Sequence, residues 1–205
     1  MLFVISLSSG WNLIGLTLHN TDSGTDRNIS LAQNWSLIGY SSDVEKNLSE
    51  VNFINSSGNS TNWSTSVSQG KAQAYLVYRE NNVFKYVSTP DLSMEDTALR
   101  QNKGYWIKIN QAGGGNFSMS GVGGSLSGQS YEWSKLRFSN GTKELNISDA
   151  SGANYNWTQA AMYYWDNAWR TTCGNLDDCD AINLSSWKGY FILSNQNNIQ
   201  LIRRN

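Results

Sequence analysis

Trp35-Ser-Leu-Ile-Gly-Tyr-Ser-Ser42 and Lys103-Gly-Tyr-Trp-Ile-Lys-Ile-Asn110 decide the fold, because each returns later in the same chain. The first reappears as Trp133-Ser-Lys-Leu-Arg-Phe-Ser-Asn140 and the second as Lys188-Gly-Tyr-Phe-Ile-Leu-Ser-Asn195. Between them, Leu76-Val-Tyr-Arg-Glu-Asn-Asn-Val-Phe-Lys-Tyr86 corresponds to Met162-Tyr-Tyr-Trp-Asp-Asn-Ala-Trp-Arg170. Each of these is a pair of apolar runs joined at an Asn-containing turn, the pattern of a β-hairpin. Three matches in one order mark an internal duplication.

Outside these matches the chain reads as short apolar runs between polar, Gly-containing turns. Strands are expected over residues 2–7, 11–17, 35–40, 74–79, 83–88, 104–110, 133–138, 161–165, 188–194 and 198–203. No long helical period interrupts them, so the fold class is all-β: two duplicated small antiparallel β units, each a sandwich or a small barrel, with little helix. A capping-box pattern at Ser42-Asp-Val-Glu45 and a turn near Met94 to Arg100 are the expected helical pieces. The Gly- and Ser-rich segment from Gly113 to Gly128 suits a connection. It places one unit over residues 1–124, with an extra leading strand, and its divergent copy over 125–205. The segment Gly10-Trp-Asn-Leu-Ile-Gly15 is a further copy of the first motif without an evident partner. The leading strand, Leu2 to Leu7, could pair within its own unit or complete a neighbour's sheet.

Gly-Trp11-Asn-Leu-Ile-Gly, Asn-Trp35-Ser-Leu-Ile-Gly and Lys-Gly104-Tyr-Trp-Ile resemble repeats of exported archaeal and bacterial cell-surface proteins. In those repeats such strands open and close each unit. The likeness covers residues 8–110 well and 131–203 loosely, since Phe191 stands where the first copy has Trp106. It implies a modular, extracellular part of an S-layer-like or adhesin-like chain. In the strands themselves, alternation puts Trp11 and Leu13 on one face and Asn12 and Ile14 on the other, and sends Tyr105 and Trp106 to opposite sides.

Composition narrows the function. Charged residues make up 15% and the net charge is −1, so there is no electropositive surface for nucleic acid. Nine Trp favour strands with large side chains. Eleven Asn-x-Ser/Thr triplets, at Asn28, Asn34, Asn47, Asn55, Asn59, Asn62, Asn116, Asn140, Asn146, Asn156 and Asn183, are candidate glycosylation sites. Cys173 and Cys179 bracket five residues and suit a disulfide-closed loop in an oxidising compartment. The chain carries no Gly-x-Ser-x-Gly or His-Glu-x-x-His and a single histidine, His19, so no enzyme and no cofactor is expected. Asp177, Asp178 and Asp180 form a weak Ca²⁺ candidate; a solvated acidic turn fits them better. The expected role is a non-enzymatic structural or adhesive module of a microbial cell-surface or filament-like protein, contacting neighbouring copies or other modules. The alternative is a carbohydrate-binding module using Trp63, Trp157, Trp165 and Trp169, whose ring faces can stack on sugars.

Overall fold

The computed structural model describes residues 4–16, 25–90, 96–123, 130–173, 179–181 and 183–203. The chain opens with β1 (Val4–Leu7) and β2 (Gly10–Gly15). It continues through β3 (Arg27–Leu31), β4 (Asn34–Gly39), β5 (Lys46–Asn47), β6 (Val51–Asn55), β7 (Ser60–Asn62), α1 (Trp63–Ser68), β8 (Tyr75–Glu80), β9 (Val83–Ser88), β10 (Ala98–Leu99), β11 (Gly104–Ile109) and β12 (Gly115–Met119). It closes with β13 (Ser130–Glu132), β14 (Leu136–Ser139), β15 (Glu144–Leu145), α2 (Ile147–Ser151), β16 (Ala161–Trp165), β17 (Trp169–Cys173), β18 (Asn183–Ser185), β19 (Gly189–Ser194) and β20 (Ile199–Arg203).

These elements form two equivalent units of open, antiparallel sheets. In the first, β3-β12-β6-β7 packs against β4-β11-β8-β9, with the ribbon β5-β10 at one side. In the second, β1-β20-β14-β15 packs against β2-β19-β16-β17, with the ribbon β13-β18. The leading strands therefore belong to the second unit, which corrects the division at residue 124. β1 pairs with β20 from Val4↔Ile202 to Leu7↔Ile199. β2 pairs with β19 from Gly15↔Gly189 to Gly10↔Ser194, the register that β4 keeps with β11 from Gly39↔Gly104 to Asn34↔Ile109. Trp11, not Trp133, is thus the counterpart of Trp35. Trp133-Ser-Lys135 is a 3-10 turn before β14 and matches the 3-10 turn Leu48-Ser-Glu50 before β6. The first unit lies, in sequence, wholly between β2 and β13.

Alternation fills each core. Ile5, Leu7, Phe138, Met162, Ile192 and Leu201 meet in one, and Leu31, Phe53, Leu76, Ile107 and Phe117 in the other. Each such side chain contributes about 1.5–3 kcal/mol. β1 supplies two of these residues to its own chain, so removing it would open a core rather than free a donor strand. In the Gly-Tyr motifs the tyrosine turns inward. Tyr105 OH accepts the Arg100 N–H at 2.8 Å and Tyr190 OH the Ser185 N–H at 2.6 Å, tying the ribbons to the sheets.

Helix enters where Asn caps it. Asn62 and Asn146 accept the Thr65 and Asp149 N–H groups at 2.8 Å, opening α1 and α2, neither of which the sequence reading anticipated. The turn expected at Ser42 is not helical, and Asp96 to Arg100 is extended around β10. Asn also supplies turns. Of eight non-glycine residues at positive φ among the described residues, seven are Asn, including the Asn81-Asn82 hairpin tip.

The units meet backbone to backbone. Gly15 N–H donates to Asn102 O at 3.0 Å and Gly39 N–H to Trp187 O at 2.9 Å, a reciprocal pair of contacts. A Cβ on Gly15 would lie 2.6 Å from Lys103 O and 2.7 Å from Gly39 Cα. Leu13 of the second unit sits on Gly104 of the first, and Leu37 of the first on Gly189 of the second. Trp187 crosses over to pack edge-on against Tyr40, with centroids 5.8 Å apart.

Gly39→Ala is expected to lower stability by about 1–3 kcal/mol, read as a lower urea midpoint with an unchanged slope. Burial pushes Tyr40 and Tyr190 from 10.0 up to about 12, and Tyr105 higher still. A raised phenol pKa adds stability below the unfolded value and loses it as pH climbs through the folded one. Stability is therefore expected to fall from pH 10.0 upward, and less steeply in Tyr190→Phe; the same fall in that variant and in the unaltered chain would contradict it.

Candidate functional site

The outward faces of β2-β19-β16-β17 and β4-β11-β8-β9 meet beside the glycine crossing and carry one continuous aromatic cluster. Alternation places Trp11, Tyr163, Trp165, Trp169 and Phe191 there from the second unit, and Trp35, Trp106, Arg79 and Phe84 from the first. Trp106 is the hub, with ring centroids 5.8 Å from both Trp165 and Trp169, 6.3 Å from Trp35 and 6.4 Å from Phe191. Trp11 packs edge-on against Tyr163 at 5.6 Å, and Trp165 against Trp169 at 5.5 Å. Such pairs are worth about 0.5–1.5 kcal/mol each beyond buried area. Trp165 Nε1 donates to Trp35 O at 3.0 Å, which fixes one ring across the unit boundary. The hairpin tip is fixed the same way: Ser8 Oγ donates to Asn81 Oδ1 at 2.9 Å and Asn82 Nδ2 to Ser9 O.

Two grooves open on this face. The larger, about 610 Å³, is lined by Trp11, Arg79, Phe84, Trp106, Gln159, Tyr163, Trp169 and Phe191. The smaller, about 360 Å³, lies among Trp35, Val77, Trp106, Trp165 and Trp169. Both volumes suit a small ligand or one segment of a longer one. Trp169 and Phe84 are 53% and 51% exposed, although both are large apolar side chains. The Arg79 guanidinium lies 5.1 Å from the Phe84 ring centre, with a long contact from Nη2 to Asn82 Oδ1 at 3.4 Å. Arg79 Nε and Gln159 Oε1 are buried and have no hydrogen-bond partner among the described residues. Each is a desolvation cost of about 1–3 kcal/mol left uncompensated.

Two of the four tryptophans singled out from the sequence lie here, Trp165 and Trp169. The other two are core. Trp63 is 0% exposed at the start of α1, edge-on to Phe117 at 5.2 Å, and Trp157 is 4% exposed beside Tyr155. A polar sequence context misled because α1 turns Trp63 inward, and because the chain from α2 folds Trp157 over the second core. The sequence reading missed Trp11, Trp35, Trp106, Phe84 and Tyr163 as site residues. Their signal was alternation: Tyr105 enters the core, so Trp106 faces out.

Nine of the triplet asparagines are exposed and Asn55 and Asn116 are half-buried. Several have a local task. Asn62 and Asn146 cap helices, while Asn55 and Asn140 close turns by accepting N–H groups of Ser57 and Thr142. In the Asn156 triplet, Thr158 is 1% exposed and its hydroxyl donates to Leu193 O at 2.8 Å. Cys173 and Cys179 form a disulfide, their Cα atoms 6.1 Å apart. Asp177, Asp178 and His19 lie outside the described residues. The Asp180 carboxylate accepts the Thr171 N–H at 2.7 Å and pairs with Arg170 at 3.1 Å, and these bonds hold it below the usual carboxylate range. Among the described residues no His, Cys, Asp and Glu cluster could hold a metal.

No family model, curated protein or solved structure matches this chain.

Trp63→Ala is expected to cost about 3–5 kcal/mol, and Trp169→Ala, whose ring is half in water, about 1 kcal/mol. Equal losses in urea unfolding would place both rings in the core.

Proposed function

We propose that the chain is a non-enzymatic, extracellular adhesive module of a microbial cell-surface protein, and that the aromatic face between its units is the contact surface. The observation that carries this reading is the exposure of Trp169 and Phe84 beside a groove walled by rings from both units. A contiguous apolar patch on a folded chain costs solubility and marks a place where another molecule docks. The groove's lining, aromatic rings with one Arg and one Gln, supplies recognition rather than a nucleophile or a general acid. The disulfide supports an oxidising compartment. No helix among the described residues is long and apolar enough to cross a membrane. The exposed Asn-x-Ser/Thr triplets offer glycan attachment points on the outside of the units.

Attachment of the whole chain to cell envelopes of the microbe that makes it is expected to fall at least tenfold in the double variant Trp169→Ala, Phe84→Ala, with the melting temperature nearly kept. Unchanged attachment by a folded double variant would remove the aromatic face from the adhesive role.

A further inference from the structure

Arg79 and Gln159 line the groove, and each carries a buried polar atom without a hydrogen-bond partner among the described residues. The inference drawn from them rests on the aromatic face being a contact surface, and names its ligand. Arg79 comes from the first unit and Gln159 from the second, and both line the same 610 Å³ groove. Among the described residues Arg79 has no carboxylate partner: the neighbouring Glu80 is held by Lys85 at 3.0 Å and Lys103 at 2.5 Å. Among the described lining residues the guanidinium is thus the one charge, and its Nε–H and Gln159 Oε1 are buried without a hydrogen-bond partner. The remaining walls are rings.

We infer that this groove binds an acidic saccharide, a pyranose ring that carries a carboxylate. A pyranose is flat and presents C–H groups on its faces, so it can lie on Trp106 or Trp169 while its hydroxyls stay at the rim. A carboxylate matches the guanidinium, which has no carboxylate partner among the described residues and can take one through its Nη–H groups. A ring hydroxyl pairs with the Gln159 amide at the groove wall. An extended peptide fits less well, because one N–H and one C=O per residue would cross a face that is mostly rings. The groove's walls are side chains on the outward sheet faces, so a peptide lying on them would meet ring faces and not a ladder of backbone N–H and C=O groups.

The test is a tryptophan-emission titration of the whole chain with uronic-acid oligosaccharides, set against the same oligosaccharides after reduction of each carboxylate to a primary alcohol. Saturable binding at least tenfold tighter for the acidic form, weakened by added salt, is expected. Arg79→Met should abolish the preference for the acidic form, and Gln159→Leu should weaken both forms, with urea midpoints checked for each variant. Equal affinity for the two forms, a preference that survives in folded Arg79→Met, or tighter binding of a proline-rich peptide in the same groove would overturn the assignment. So would no response to any acidic saccharide at millimolar concentration. If envelope attachment still depends on Trp169 and Phe84 in that case, the adhesive reading stands and only the ligand is wrong.

Discussion

The structure depends on one close approach, the crossing of Gly15 and Gly39 where the two units touch backbone to backbone. A side chain at either position would collide with main-chain atoms that cannot move without unpairing a sheet. The crossing lets Leu13 and Leu37 seat on Gly104 and Gly189, and it brings the outward faces of two sheets near enough to share rings. The Leu-Ile-Gly and Lys-Gly-Tyr motifs are therefore a single device seen twice. Leu grips the other unit, Ile fills its own core, Gly clears the crossing, and Tyr anchors the ribbon.

The order of strands along the chain follows from the same device. The second unit is begun by β1 and β2, left open while the whole first unit is made, and completed by β13 to β20. Its core waits for residues nearly two hundred positions apart, as in the pairing of Ile5 with Leu201. Closing so long a loop adds only a small entropic cost to stability, because that cost grows as the logarithm of length, but it makes the pairing late and non-local. Both described ends of the chain lie side by side on one sheet.

The aromatic face is a consequence of packing two amphipathic sheets by their second faces. Each unit has already buried one side of β2-β19-β16-β17 or β4-β11-β8-β9 in its own core, and the side left over carries Trp, Tyr and Phe in place of the polar residues of a solvated sheet. The other unit covers part of that side. What it leaves uncovered is the groove around Trp106 and Trp169.

Sequence alone determined the β class, the duplication, the hairpin at Asn81-Asn82 and the opposite destinations of Tyr105 and Trp106, because each rests on a period or a turn preference that acts over a few residues. It left β3 and β6 unread, since Arg27-Asn-Ile-Ser-Leu31 and Val51-Asn-Phe-Ile-Asn55 alternate too briefly amid Asn and Ser to stand out. Only the tertiary structure decided that Gly10 to Gly15 completes the second unit, that Trp63 and Trp157 are buried while Trp169 is not, and that Arg79 and Gln159 share a groove. A local pattern fixes which way a side chain points relative to its own strand. What lies in that direction, a core, a second sheet or water, is set by contacts between segments far apart in the chain.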